Sequence, residues 1–343
     1  MKKFLLPQEG SFYKANLHCH TTLSDGALSP EEVKELYKSL GYSIVAFTDH
    51  DIFIPHPELC DDNFLALNGF EIETDGDFPD GKDDYSFIKT CHFCCIALDA
   101  EARTQPCWHR EKYLKGNAAK QRDRIVFDES LPDYERSYTG EGISDHMKRA
   151  KEAGFFVTYN HPTWSSESYP EYMSYHGMHA MEMFNGSCNC SGFEDCNPRV
   201  YDDMLRGGER IYCIGADDNH NNPSRKGTKL YDSGWAFTVI KSAGLNYSSV
   251  SSALLSGHFY ASEGPSINEL WYEDGFVHIS CSDAYRINYN SGRRKVHTKI
   301  CEDGEALTEA HFPVDYDDGY FRITVIGKDG KRACTNAYFT DTL

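Results

Sequence analysis

From Tyr13 to about Gly264 the chain alternates short β-rich apolar runs with polar stretches of helical periodicity. The runs "YKANLHC", "SIVAFTD", "LALNGFEI", "HFCCIAL", "FFVTYNH", "HAMEMFN" and "RIYCIGA" read as seven strands. Strands alternating with helices predict a parallel α/β arrangement, and seven of them predict a closed or nearly closed barrel. Two helices are legible between strands. "SPEEVKELYKSLG" carries Ser29 as its cap, Pro30 at the first helical position, Glu32 three residues after the cap and Gly41 as its stop. "GISDHMKRAKEAG" repeats the pattern, with Ser144 or Asp145 as cap and Gly154 as stop.

Two departures from this rhythm set the expected organisation. Residues 99–140 are polar and aromatic-containing, too long for an ordinary connection in a compact barrel, which predicts a lid or binding loop. The stretch separates His92 from His161, so its surplus chain is expected to leave at the carboxyl face of the strands and overhang what lies there. After Gly264 the runs become closely spaced, with Glu-Asp-Gly and Lys-Asp-Gly as hairpin signals between them. The predicted division is an α/β barrel over residues 1–264 with the insertion at about 99–140, then a small all-β sandwich over 265–343.

Composition narrows the function classes. With 343 residues, 40% of them hydrophobic, the chain is long enough for one large or two ordinary domains. A formal charge of −19 argues against extended nucleic acid as a partner, because phosphate backbones are held by excess Lys and Arg. "MKKFLLPQEGS" breaks too early for a signal peptide, and no apolar run is long enough to span a membrane, so a cytoplasmic, membrane-free protein is expected. The thirteen cysteines are odd in number and often lie inside apolar runs, which predicts free thiols. Cys188, Cys190 and Cys196 are clustered, but no fourth ligand has finger-like spacing.

The candidate chemistry gathers at the strand ends. "ANLHCHTTLSDG" places His18 and His20 two apart, so both point to one face of a strand, with Asp25 five residues on. "FTDHD" supplies Asp49 and His50, "NGFEIET" Glu71, and "HFCCIAL" His92. "NHP" contributes His161, and "GADDNH" contributes Asp217 or Asp218 together with His220. All are nitrogen or oxygen donors suited to zinc, manganese or iron, at the face where barrels of this kind keep their chemistry.

In order and spacing, "HCHTTLSDG", "FTDHD", "GFEI", "HFCCIAL", "NHP" and "DDNH" resemble the motifs of the polymerase and histidinol phosphatase (PHP) superfamily of metal-dependent phosphoesterases. The tail from "GHFYASEGP" to "RACTNAYF" resembles its two-domain CehA/McbA-related branch. The resemblance implies a distorted (β/α)7 barrel holding two to three divalent metal ions (Mn, Fe or Zn). It implies His18, His20, Glu71 and Asp218 on one ion, Glu71 bridging to a second held by His92 and His161, and Asp25, His50 and His220 on a third. The last motif departs from the usual Gly-Ser-Asp-x-His. Asp218 is preferred over Asp217 because it keeps the two-residue spacing to His220. Asp49 is expected to accept from a neighbouring histidine and orient it. Catalysis is expected to rest on Glu71, Asp218, His50 and Asp49.

The expected reaction is hydrolysis of a small phosphoester, a phosphomonoester or nucleotide, by a metal-bridging hydroxide. Arg225 and Lys226 in "NHNNPSRKG" are candidate phosphate contacts, and Trp164 a candidate stacking wall. Two other readings use the same residues: hydrolysis of a carboxylic or carbamate ester, and a non-catalytic module stapled by its metals. The sequence gives no oligomeric state.

Overall fold

The computed structural model describes residues 2–302 and 305–343; Asp303 and Gly304, within the expected sandwich, lie outside the described residues. A two-residue strand, β1 (Lys3–Phe4), is followed by β2 (Ser11–Asn16), β3 (Ile44–Phe47), β4 (Leu65–Asp75) and β5 (Thr90–Ala97). Then come β6 (Phe155–Tyr159), β7 (Ala180–Asn185) and β8 (Tyr212–Ala216). Strands β2 to β8 correspond to the seven expected runs and stand side by side in chain order. The pairs β2–β3, β3–β4, β6–β7 and β7–β8 are parallel.

One strand runs against the expected parallel arrangement: β5 is antiparallel to both β4 and β6. The reason is visible in its sequence. His92 lies near the start of β5, whereas Glu71 lies in the second half of β4 and His161 just beyond β6. Only a reversed strand brings a leading residue to the carboxyl face. The sheet curls until the segments after β2 and β8 meet, with the Asp218 amide donating to the His18 carbonyl (3.0 Å) and the His20 amide to the Asn219 carbonyl (3.1 Å).

Alternation along these strands builds the floor of the site. Leu65 and Leu67 share a face of β4 with Glu71; Ile96 and Cys94 share one of β5 with His92. Ile44 and Ala46 lead up to His50, Phe156 to Asn160, and Ala180 to Glu182. The lower members (Ile44, Ala46, Leu65, Leu67, Ile96, Phe156, Ala180, Ile214) form one buried cluster. An apolar plug therefore fills the interior beneath a ring of polar side chains.

The first expected helix is α1 (Pro30–Ser39), with the Ser29–Glu32 capping box in place. The second, α2 (Gly140–Glu152), starts earlier than expected, because Thr139 is its cap. Ser144 instead donates back to the Gly140 carbonyl, and Asp145 pairs with Arg149. The insertion lies across the segment after β3. Gln105 bonds the Phe53 amide and the Asp51 carbonyl, and Trp108, Ala118 and Ile125 pack on Ile52 and Ile54.

Beyond the seven strands the sheet continues. Strand β9 (Phe237–Ser242) pairs antiparallel with β2, and β10 (Phe259–Ser262) with β9. The remaining strands are β11 (Ile267–Glu273), β12 (Phe276–Ala284), β13 (Arg286–Ser291), β14 (Val296–Ile300), β15 (Leu307–Pro313), β16 (Tyr320–Ile326), β17 (Arg332–Thr335) and β18 (Tyr338–Phe339). Glu-Asp-Gly makes the β11–β12 turn with Asp274 and Gly275 both at positive φ, as the hairpin signal requires. A four-stranded antiparallel sheet, β1-β11-β12-β15, faces the β13-β16-β17 end of the large sheet across one core that includes Leu270, Ile279, Phe312, Tyr289, Phe321 and Ile323.

The two parts share backbone hydrogen bonds, because β17 pairs with β10. The Asn336 side chain accepts from the Cys213 amide (2.9 Å) and donates to the Gly257 and Phe259 carbonyls (2.9 Å each). Arg322, nearly buried, makes a bidentate pair with Asp202 on the helix Pro198–Arg206 (2.9 and 3.0 Å). A chain truncated after residue 264 would lose all three links and bare the edge of β10, and an unpaired edge is a template for aggregation. We expect that fragment to be insoluble, checked by its soluble fraction on expression. Asp202→Asn in the full chain should cost about 3–5 kcal/mol, the cost of breaking a buried pair, measured by denaturant unfolding.

Candidate metal centre

All nine expected donors converge at the carboxyl ends of the strands. His18, His20, Glu71, His92, His161 and Asp218 are buried; His50, Asp25 and His220 stand nearer the opening. Glu71 is the hub. Its Oε1 lies 3.1 Å from His18 Nε2, 3.3 Å from His161 Nε2 and 3.4 Å from His92 Nδ1. Its Oε2 lies 3.2 Å from His50 Nδ1 and 3.3 Å from His20 Nε2. Asp218 Oδ1 sits 3.1 Å from His20 Nε2 and 3.3 Å from His18 Nε2. Asp25 reaches His220 at 3.3 Å and both His20 and His50 at 3.6 Å.

Local backbone aims these groups. Asp218 (φ +52°) and His161 (φ +23°) both adopt the left-handed backbone that ordinary residues avoid. The kink at Asp218 turns it into the site. Its neighbour Asp217 faces away and accepts from the Gly234, Trp235 and Ala236 amides and the Tyr37 and Tyr42 hydroxyls. At Gly26, a Cβ would come within 2.4 Å of the His20 carbonyl oxygen, so only glycine lets the loop carrying Asp25 fold back this closely.

The spacings test whether the donors fit a cation. Donor atoms each about 2.0–2.2 Å from a shared ion lie roughly 3–3.5 Å from one another, the range found around Glu71 and Asp218. Four sets of donor atoms lie mutually within 4.8 Å: His20/Asp25/His50/His220, His18/Glu71/His161, His18/His20/Asp218 and His50/Glu71/His92. Glu71 Oε2, His50 Nδ1, His20 Nδ1 and both ring nitrogens of His92 are buried without a hydrogen-bond partner. Buried polar atoms in close contact yet without hydrogen-bond geometry are arranged around a common point rather than paired with each other, and a divalent cation satisfies them.

The electrostatics agree. Burial opposes charge on His18, but Asp218, Glu71 and Glu182 outweigh it and lift its pKa well above the ordinary value. Burial likewise opposes charge on His161, and Glu71 and Asp218 raise it to about 9. Glu71 resists the upward push of burial and is held well below the carboxylate range by His18, His92 and His161. His50 is pushed down to about 4 by burial and by His20. The carboxylates thus create a negative potential strong enough to draw protons onto His18 and His161, the potential that favours a cation, while His50 stays neutral.

Two roles differ from expectation. Asp49 touches no histidine; it accepts from the Thr21 and Ser24 amides and both of their hydroxyls, pinning the loop that presents Asp25. The orienting carboxylate is Glu182. Its Oε1 meets His18 Nδ1 at 2.7 Å, and its Oε2 accepts from the His161 amide (3.0 Å) and from Asn185 (2.9 Å). A lone acid inside the apolar run "HAMEMFN" was its signal. Asn160, donating to Glu71 at 2.9 Å, was likewise missed.

Over the cluster opens a cavity of about 510 Å³. Trp164 lines it, edge-on to His92 (5.2 Å) and His161 (5.1 Å). Lys115, Gly116 and Ala118, from the insertion, line it. Arg225 and Lys226 do not line it. A turn capped by Asn222 sends Arg225 to Ser191 (3.2 Å), and Lys226 lies beside Leu28, Glu31 and Tyr231. Cys188 is on the cavity wall, in the short helix Gly186–Ser191, and all thirteen cysteines are free. Among the described residues no helix is long and apolar enough to cross a membrane.

No protein-family model and no curated protein matches the sequence. Among solved structures the chain is similar to a two-domain protein from Bacteroides vulgatus containing a predicted PHP-like metal-dependent phosphoesterase: 15% identity, 98% of this chain and 90% of that one covered, TM-score 0.44. It is also similar to a protein from Bifidobacterium adolescentis assigned as a metal-dependent phosphoesterase (16%, 63% and 89% covered, TM-score 0.34). An amidohydrolase from Chromobacterium violaceum with bound sulfate and no metal gives 16% identity, 60% and 87% coverage and a TM-score of 0.34.

Proposed function

We propose that the chain is a metal-dependent hydrolase of small phosphoesters, of the PHP type, using two to three divalent ions of manganese, iron or zinc. The observation that carries this reading is the orphaned Glu71 oxygen and His92 ring at the floor of an open cavity, within a ring of nine donors from six strand ends. His18, His20 and Asp218 would hold one ion. Glu71 would be shared with others, reached by His161 and His18 on one side and by His50 and His92 on the other. Asp25, His220, His50 and His20 would complete the outermost.

Divalent ions held there lower the pKa of water and neutralise charge on a phosphoryl group. The chain's own residues supply the rest. Glu182 fixes the ring of His18 and the backbone of His161. Trp164 walls the cavity on the side of His92 and His161, and the insertion overhangs it, restricting entry to small molecules. Ser187 and Ser191 line the wall with hydroxyls.

Three measurements check this reading. Reconstituted protein should carry two to three ions per chain by elemental analysis; well under one would refute it. Glu71→Gln should lose more metal and more activity than His220→Ala, which should chiefly empty the outermost position, and equal losses would count against the shared role of Glu71. Glu182→Gln should weaken metal affinity about 10- to 100-fold with the fold intact by circular dichroism. The activity assay is a panel of phosphomonoesters, phosphodiesters and carboxylic esters, and turnover confined to the carboxylic esters would replace the phosphoester assignment.

A further inference from the structure

On one face of β4, Glu71, Glu73 and Asp75 climb from the floor of the cavity to its rim, about 6.5–7 Å apart along the strand. Glu73 and Lys115 line the cavity, and Asp75 lies immediately beyond. The Lys115 ammonium, which comes from the insertion, donates to Glu73 Oε1 (2.9 Å) and to Asp75 Oδ2 (3.0 Å). The Tyr85 hydroxyl donates to Glu73 Oε1 (2.6 Å) and lies 3.3 Å from Asp75 Oδ1. Glu73 is only 12% exposed, whereas Lys115 is 61% exposed.

Lys115 is the one Lys or Arg among the described residues lining this cavity, and it is already held by two carboxylates. The other rim acid, Asp51, is paired with buried Arg136 at 2.6 Å. The rim therefore carries an excess of negative charge. Both hydrogen bonds to Glu73 fall on Oε1, and a carboxylate has acceptor sites on two oxygens. Cations at the floor would meet the charge of a reacting phosphoryl group, but beside Glu73 and Asp75 the described residues leave no unpaired cation for a second anion; Arg225 stands elsewhere, behind Ser191.

We propose that the Glu73–Asp75–Lys115 rim selects the substrate by the charge of its far end: a compact phosphoester whose leaving group carries an ammonium or hydroxyl about three carbons from phosphorus, and not a second anionic group. This rests on the phosphoester reading above. It excludes nucleoside di- and triphosphates and phosphorylated carboxylates as preferred ligands, and makes Glu73 and Asp75 specificity-determining residues. The orphaned donors and Glu73 line the same cavity, so a molecule held at the floor faces this rim.

The test uses manganese-loaded full-length protein and three phosphonates of matched length that cannot be hydrolysed: aminopropyl-, propyl- and carboxyethylphosphonate, each titrated calorimetrically. Aminopropylphosphonate should bind about three- to tenfold tighter than propylphosphonate, and carboxyethylphosphonate weaker than either. Lys115→Met should widen the gap between the charged pair, and Asp75→Asn, at a position 30% exposed, should narrow it. Circular dichroism and metal content confirm that each variant is folded and loaded. A flat or reversed order in the wild type, or a gap unchanged in both variants, overturns the proposal alone. If the metal-loaded protein binds none of the three, the phosphoester reading falls and the proposal with it.

Discussion

A single carboxylate, Glu71, organises the centre of this molecule. It is fully buried and surrounded by His18, His20, His50, His92 and His161, with one oxygen lacking any hydrogen bond. A charge in that position is tolerable only where countercharge is assured. The surrounding protein is built to bring that countercharge to one point: the reversal of β5, the left-handed backbone at His161 and Asp218, and the Glu182 and Asn160 hydrogen bonds each place one donor. The apolar plug beneath fixes the floor from which they project.

Much of this was legible in the sequence because strand alternation is a strong rule. Two residues of separation keep side chains on one face of an extended segment, so H-x-H could be read as a shared site from the sequence; D-x-H lies past the end of β8, where the left-handed backbone at Asp218 aims the carboxylate. The seven strand runs carried their own boundaries in Gly, Pro and Asp. What alternation cannot show is direction. Nothing in "HFCCIAL" says that the strand runs backwards except the position of its histidine at the front, a clue that needs the carboxyl face to be known first.

The misread residues share a cause. Asp49 next to His50 looked like a partner for a histidine, but Thr21 and Ser24 present four donors to it, and hydrogen bonds to a loop prevail over adjacency in sequence. Glu182 is 164 residues from His18, a distance no local motif spans. Arg225 and Lys226 were drawn in by closeness to His220 in the chain, yet one capped turn leaves Lys226 exposed and holds Arg225 behind Ser191 rather than in the cavity. Lys115 sits in the segment whose pattern was least regular, and only its packing against the rim gives it a place.

The shared sheet has a consequence for how the chain is made. Strand β1 pairs with β11 in the small sheet, while in the large sheet β2 pairs with β9 and β10 with β17, so each sheet joins strands that lie far apart in the chain. Loop closure over such separations is slow, and partners made late in synthesis leave earlier strands waiting with open edges. Because β10 (Phe259–Ser262) pairs with β17 (Arg332–Thr335), its edge stays open until β17 has been made. Until then the edge of β10 presents unpaired backbone groups, a template for the wrong strand.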